Sequence, residues 1–249
     1  MTRAYTARAA VTAEGTRLTR LRSDGPLALR ATPDAVYLVG AAAGPLGGDR
    51  LELDIDVRPG ARLSVRSAAT AVALPGPGQS RMTVRATVGE GAHLDFHPEP
   101  TVAAARCDHR AEAFVALAPG ATLRWCEEVV LGRHREPPGR HTGRLDVMLD
   151  GVPLLRHELR LDVPSSYATA AVLGGATAVG GVLLVGPDLP TEPRVTAGVS
   201  ALPLAGPGVL ITATAADSAT LRRRLDEAEA LYTGSSRNAM KAGNSSSPR

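Results

Sequence analysis

The chain has 249 residues, enough to bury a large hydrophobic core, and a formal net charge of +3 at neutral pH. That charge lies in residues 233–249, which contain Arg237, Lys241 and Arg249 and no acid, so the rest of the chain is neutral. A neutral body with 3% aromatic residues lacks the basic groove and stacking platforms of nucleic-acid-binding proteins, which argues against such a partner. Lys241 is the only lysine, and its position in the tail excludes a phosphate-binding P-loop and Schiff-base chemistry.

The cysteines and the apolar segments indicate the compartment. Cys107 and Cys126 follow an N-terminal segment that has arginines but no apolar stretch of a secretory signal, so we expect reduced thiols in the cytoplasm. The uncharged run at residues 167–187 has the length of a membrane span. Its many glycine and alanine residues favour short buried strands and turns instead, so we expect no membrane segment.

Three segments of the first half share the pattern Gly-Ala-x-Leu-x-apolar. They are VRPGARLSVRSAAT from Val57, VGEGAHLDFHPEPT from Val88 and LAPGATLRWCEEVV from Leu117. Their glycines recur at spacings of 31 and 29 residues, which indicates a structural repeat. In each copy the glycine predicts a turn, and the alternation that follows predicts a strand with one buried face.

Stacking of these copies would align equivalent side chains in rows. The predicted inward residues are Leu63 and Val65, Leu94 and Phe96, and Leu123 and Trp125. The predicted outward residues are Arg62, Ser64 and Arg66 in the first copy, His93, Asp95 and His97 in the second, and Thr122, Arg124 and Cys126 in the third. His97 and Cys126 are therefore predicted neighbours.

The second half predicts further strands and one clear helix. Asp150-Gly151 lies between two alternating segments and predicts a hairpin turn. Near the end, Asp217 or Ser218 can cap a helix whose apolar stripe is Leu221, Leu225, Ala228 and Leu231. We predict a mainly β fold, an extended helical stack of strands resembling a β-helix, with a C-terminal α-helix and few others. One β domain is expected at residues 1–232, followed by a disordered tail at 233–249.

Histidine, cysteine and carboxylate residues suggest a metal site. Nickel and zinc favour such ligands, and a soft site could be assembled from His97, Cys126, Cys107 and His109. His93 and His97 would lie about 13 Å apart along an extended strand, too far to bind one ion together. The alternative interpretation is that all these groups are ordinary exposed or half-buried polar side chains.

Several motifs in order carry a resemblance to a known family. They are Gly91, Ala92, Leu94, Pro98, Glu99 and Thr101, then Leu131, Gly132 and Arg133, and then Asp150, Gly151, Pro153 and Leu154. In this combination, over residues 15–232, the chain resembles the urease accessory protein UreD, also called UreH. The fold that this resemblance implies, a helical stack of strands with a couple of helices, agrees with the repeat.

The resemblance implies a non-enzymatic chaperone or scaffold. Such a protein would bind apo-urease together with a second accessory protein (UreF type) and a nickel-binding GTPase (UreG type), and would assist nickel insertion into the urease active site. Nickel would be transferred cargo, with no tightly bound cofactor. Dispersed single ligands suit a carrier that must release its ion, and the candidate path residues are His97, Glu99, Cys107, Asp108, His109 and Cys126.

Two alternatives remain open from the sequence. A β-helical carbohydrate-active enzyme could use Asp95 and Glu99 as general acid and base, although the few aromatic residues do not favour sugar stacking. A metal-independent protein-interaction scaffold would need none of the candidate ligands.

Overall fold

The structure is a computed structural model that describes residues 4–42 and 44–242. The strands are β1 Thr6–Glu14, β2 Arg17–Arg22, β3 Leu27–Ala31, β4 Val36–Gly40, β5 Arg50–Val57, β6 Arg62–Ser67, β7 Ala71–Ala73, β8 Ser80–Val88, β9 His93–His97, β10 Thr101–Ala103, β11 Asp108–Leu117, β12 Thr122–Leu131, β13 Arg140–Leu149, β14 Val152–Leu161, β15 Ala178–Val185, β16 Arg194–Thr196, β17 Val199–Pro203 and β18 Gly208–Ala215. The helices are α1 Pro164–Tyr167 and α2 Ser218–Ala242.

Two sheets form the body of the molecule. The first has the order β14-β13-β11-β8-β5-β1-β2, and the second has the order β16-β17-β18-β15-β12-β9-β6-β4-β3. The chain passes repeatedly from the first sheet to the second, so that β5, β8, β11 and β13 stack in parallel on one side and β6, β9 and β12 on the other. The result is a solenoid-like stack of about four turns, which confirms the predicted fold class.

The predicted repeat is confirmed residue by residue. Strand β9 pairs in parallel with β6 on one side and β12 on the other, so Leu94 lies opposite both Leu63 and Leu123. The repeat glycines make the turns that enter these strands. Gly60, Gly91 and Gly120 have φ angles of 70°, 62° and 70°, a conformation that glycine adopts without steric cost.

Aromatic stacking lies at the centre of the core between the sheets. Phe96 and Trp125 occupy equivalent positions of adjacent repeats, with ring centroids 4.0 Å apart and planes at 16°. Trp125 is 1% exposed and Leu94 is fully buried. The inward rows therefore form one continuous hydrophobic core, as the alternation predicted.

Antiparallel strands extend both sheets, and helix α2 packs on the second. The Asp150-Gly151 hairpin joins β13 to β14 as predicted, with both turn residues at positive φ. Asp217 caps α2, because its Oδ1 accepts a hydrogen bond of 2.7 Å from the Thr220 amide. The helix packs on β15 and β18.

The buried stripe of α2 differs from the prediction at its end. Leu221 and Leu225 are buried as expected, but Leu231 is 50% exposed and Tyr232 is fully buried instead. Tyr232 lies four residues after Ala228, so the helical period continues the stripe through the tyrosine.

Two further predictions concern the C-terminal tail and the apolar run at residues 167–187. Helix α2 continues to Ala242, so residues 233–242 are helical, whereas the sequence predicted disorder; residues 243–249 lie outside the described part. An established helix gains one hydrogen bond with each residue added, which allows polar residues to extend it. The run at 167–187 contains strand β15, and no described helix is long and apolar enough to cross a membrane.

Two buried histidines lie side by side in the first sheet. His109 of β11 and His141 of β13 are register partners, each 3% exposed, with ring centroids 5.6 Å apart. His109 Nδ1 shares a hydrogen bond of 2.9 Å with Ser80 Oγ, whereas His141 Nδ1 has no hydrogen-bond partner in the described part of the chain. Burial lowers the pKa of His109 to about 4, and burial together with the His109 charge lowers the pKa of His141 to about 3.

The first prediction concerns the aromatic stack. Phe96→Ala removes a core side chain that packs on Trp125, so the free energy of unfolding should fall by about 3–5 kcal/mol in urea titrations. Phe114 is the other phenylalanine and is 36% exposed, so Phe114→Ala is the matched control and should cost less than about 1 kcal/mol. Equal losses in the two variants would contradict the placement of Phe96 in the core.

The second prediction concerns acid stability. In the unfolded chain His141 titrates near its usual pKa, so below that pH the unfolded state binds a proton that the folded state does not, and stability falls as pH decreases. His141→Leu leaves no hydrogen-bond partner of Nδ1 unsatisfied among the described residues. The variant should therefore reduce the acid-induced loss of unfolding free energy by about 1 kcal/mol per pH unit between pH 6 and roughly pH 5. Urea titration at each pH measures this difference.

The comparison with the variant isolates His141 from the other titrating groups. Glu127 acts with the opposite sign, because burial raises its pKa to about 7 and its contribution is lost as pH rises. The same pH slope in the parent chain and in His141→Leu would show that His141 is protonated in the folded state.

Candidate metal centre

The outer face of the second sheet carries a group of three metal-ligand side chains. His97 is the last residue of β9, and Cys126 and Glu128 lie two residues apart on β12, so strand alternation places both on the same face. One ligand atom from each residue lies within 4.8 Å of the others, and His97 Nε2 is 3.7 Å from Glu128 Oε1. The predicted proximity of His97 and Cys126 is therefore confirmed.

Helix α2 covers this group and supplies a cation. Arg222 donates to Glu128 Oε1 from Nη2 at 3.0 Å and from Nε at 3.2 Å. The same guanidinium pairs with Glu99, with Nη2 3.1 Å from Oε2. The Glu128 side chain is 1% exposed, and its Oε2 atom is buried without a hydrogen-bond partner among the described residues.

The surroundings of Cys126 favour the protonated form of its thiol. Burial, followed by the nearby Glu128 charge, raises the pKa of Cys126 above its usual value. Coordination of a metal would therefore release a proton from this thiol, since the thiolate is the ligand. Both cysteines are free thiols in the structure.

Next to this group, the outward-facing charged side chains of Arg66, Asp95 and Arg124 form ion pairs that hold α2 against the sheet. Asp95 of β9 lies between Arg66, which donates to its Oδ2, and Arg124, whose Nη1 is 3.3 Å from its Oδ1. Arg124 also forms a bidentate pair with Glu229 of α2, at 2.6 and 2.8 Å. Burial alone would raise the pKa of Asp95, but the hydrogen bonds and charges of Arg66 and Arg124 outweigh it and lower that pKa.

The other predicted ligands lie apart from this group. Cys107 is buried beside Ala73 and Ala103; burial raises its pKa to about 11, and its Sγ lies 3.6 Å from the Arg140 carbonyl oxygen as a weak donor. Asp108 accepts a hydrogen bond of 2.8 Å from Gln79 Nε2. Cys107 immediately precedes β11 of the first sheet, and Asp108 and His109 begin that strand, whereas β9 and β12 belong to the second sheet. Among the described residues, the soft site that combined both sets is therefore not assembled.

The space between the sheets contains a second set of polar groups. Two cavities of about 400 and 650 Å³ are both lined by Glu127, Val129 and His141. Glu127 alternates with Cys126 and Glu128 and so faces the interior, where Trp125 Nε1 donates to its Oε1 at 2.8 Å. Burial raises the pKa of Glu127 to about 7, against the smaller opposite effect of the indole donor. A carboxyl in this environment can gain or lose a proton near neutral pH.

Sequence reasoning missed Glu128 and Arg222. The signal for Glu128 was present, because the alternation that placed Cys126 outward places Glu128 outward as well. Arg222 had no such signal, because its partners are 94 and 123 residues away and depend on where α2 docks.

Comparison with known proteins gives a consistent result along the chain. Residues 4–245 match the family described as UreD urease accessory protein. The chain is 45% identical over 251 residues to the urease accessory protein UreD of Parafrankia sp. (strain EAN1pec), covering 88% of this chain and 84% of that protein.

Two further relatives have similar coverage. The urease accessory protein UreD 3 of Streptomyces griseus subsp. griseus is 47% identical over 231 residues, covering 86% of this chain and 90% of that protein. The urease accessory protein UreD of Frankia alni is 44% identical over 255 residues, covering 84% and 85% respectively. With a family match over residues 4–245 and identities of 44–47% to these relatives, the chain belongs to the UreD family of urease accessory proteins.

Proposed function

We propose that the chain is a non-enzymatic maturation factor for urease, acting in the cytoplasm. It binds urease apoprotein together with a second accessory protein of the UreF type and a nickel-binding GTPase of the UreG type. Nickel is cargo that passes to the urease active site, and no cofactor is held permanently. The observation that carries this proposal is the family match over residues 4–245 with relatives named urease accessory proteins.

The arrangement of carboxylates favours this function over the carbohydrate-active alternative. Asp95 is held between Arg66 and Arg124, and Glu99 pairs with Arg222. A general acid needs a raised pKa, whereas the pKa of Asp95 is lowered by its arginine partners. The absence of a lysine from residues 1–240 fits a division of labour in which a partner hydrolyses GTP.

The predicted nickel path is part of this proposal. His97 and Cys126 lie in the group beneath α2, and Glu99 and His109 both line the larger cavity, as does Glu128. Cys107 and Asp108 adjoin His109 at the start of β11. Separate ligands along a cavity can pass an ion onward, because no single position holds it with a closed set of four ligands.

Urease activation tests the function. Cells that express the urease subunits and the other accessory proteins should contain apo-urease of low activity when this chain is deleted, and plasmid-borne expression of the chain should restore activity. The tagged chain should also co-purify with urease apoprotein. Full urease activity and nickel content in the deletion strain would contradict the proposal.

The path is tested by a double variant. His97→Ala with Cys126→Ala removes two ligands of the group, so nickel bound per urease should fall by about tenfold or more, measured by metal analysis of purified urease. Co-purification with urease should persist, because the two side chains lie under α2 with exposures of 21% for His97 and 2% for Cys126. His134→Ala, in an exposed loop, is the control and should leave loading unchanged. Unchanged loading in the double variant would exclude the path at these positions.

A further inference from the structure

The buried Glu128 carboxylate is incompletely satisfied within the described protein. Its Oε1 accepts both hydrogen bonds from Arg222, whereas its Oε2 is buried without a partner. An unpaired charged oxygen in the interior costs more free energy than the net gain of an ordinary hydrogen bond. The free oxygen belongs to a side chain that is 1% exposed and lies beside His97 and Cys126. A group of this kind requires an explanation, and a bound cation supplies one.

The three side chains match the donor set of a borderline divalent metal. Imidazole nitrogen, thiolate sulfur and carboxylate oxygen together suit Ni²⁺, Zn²⁺ and Co²⁺ better than Mg²⁺ or Ca²⁺. Ligands of a tetrahedral ion are separated by about 3.4–3.7 Å, given bonds of roughly 2.0–2.3 Å. The present separations, up to 4.8 Å, require a contraction of about 1 Å, within the reach of side-chain rotation. Three protein ligands leave a fourth position open for exchange.

The charges around the group are consistent with a supporting role for Arg222 beside the ion. The carboxylates of Glu99 and Glu128 and the guanidinium of Arg222 together carry one net negative charge. A divalent ion that binds with release of the thiol proton to solvent makes the group neutral. Arg222 can therefore remain on Oε1 while Oε2 binds the ion, and hydrogen bonding of a ligand carboxylate orients it for the metal.

We propose that His97, Cys126 and Glu128 form a three-ligand site for a borderline divalent cation, and that Arg222 of helix α2 is a positioning residue that holds Glu128 from outside. The site thus depends on the docking of the C-terminal helix, which Arg124 and Glu229 also secure. The identity of the natural ion as nickel rests on the proposed function, whereas the site itself does not.

Titration of the purified, reduced full chain with Co²⁺ tests the ligand set. One equivalent should bind with a sulfur-to-cobalt charge-transfer band in the near ultraviolet and release one proton. Cys126→Ala should abolish the band, and Glu128→Gln should weaken binding at least about tenfold. His134→Ala removes an imidazole in an exposed loop outside the group, so it is the control and should retain both the band and the affinity. Circular dichroism of each variant verifies folding.

Arg222 is tested on the same helix. Arg222→Met should weaken Co²⁺ binding by about 10–100-fold, with partial rescue by Arg222→Lys, which retains one charge without the fork. Arg223→Met is the matched control, because Arg223 is 63% exposed and pairs only with Glu227 among the ion pairs of the described residues. Tighter binding in Arg222→Met would overturn the positioning role and identify Arg222 as a competitor of the ion.

Two outcomes separate this inference from the proposed function. Absence of a charge-transfer band in the parent chain, or a band that survives Cys126→Ala, would overturn the metal site even if urease activation still requires the chain. Stoichiometric binding that Cys126→Ala and Glu128→Gln abolish would support the site even if deletion of the chain left urease fully active.

Discussion

The in-register parallel pairing of β6, β9 and β12 is the constraint on which the rest of the structure depends. Each copy of the repeat begins with a glycine turn at the same offset, so equivalent residues of neighbouring copies lie opposite each other. A shift of one residue would turn every side chain to the other face, and burial of Leu94 and Phe96 prevents this. The hydrophobic core therefore sets the register, and the register places His97 beside Cys126.

Helix α2 converts the outer face of the sheet from a solvated surface into a half-buried polar layer. Its buried residues Leu221, Leu225 and Tyr232 pack near β15 and β18, which brings Arg222 and Glu229 over the outward rows. Across the interface Arg124 pairs with Glu229, and Arg222 pairs with Glu128 and Glu99, but one oxygen of Glu128 has no hydrogen-bond partner among the described residues. This oxygen of Glu128 is removed from water, so leaving it unpaired costs free energy. Binding of a cation there is therefore favourable.

The parts of the fold that depend on local spacing could be predicted from the sequence. Glycine spacing and alternation gave the repeat, the inward rows, the Asp150-Gly151 hairpin and the start of α2. The proximity of His97 and Cys126 followed from the same register. The Glu128–Arg222 contact could not be predicted, because it joins residues 94 positions apart through the docking of a helix. The separation of Cys107 and His109 from the group required knowledge of which sheet each strand joins. The end of α2 was also missed, since composition alone does not reveal how far a docked helix propagates.

Stacking of the repeats, completed by α2, brings His97, Cys126 and Glu128 together in what we propose is a thiolate-containing metal site. X-ray absorption spectroscopy of the full chain loaded with one equivalent of Zn²⁺ measures the atoms bound to the ion directly. We expect one sulfur at about 2.3 Å together with nitrogen and oxygen neighbours at about 2.0–2.2 Å. A zinc environment of nitrogen and oxygen alone, without sulfur, would contradict it.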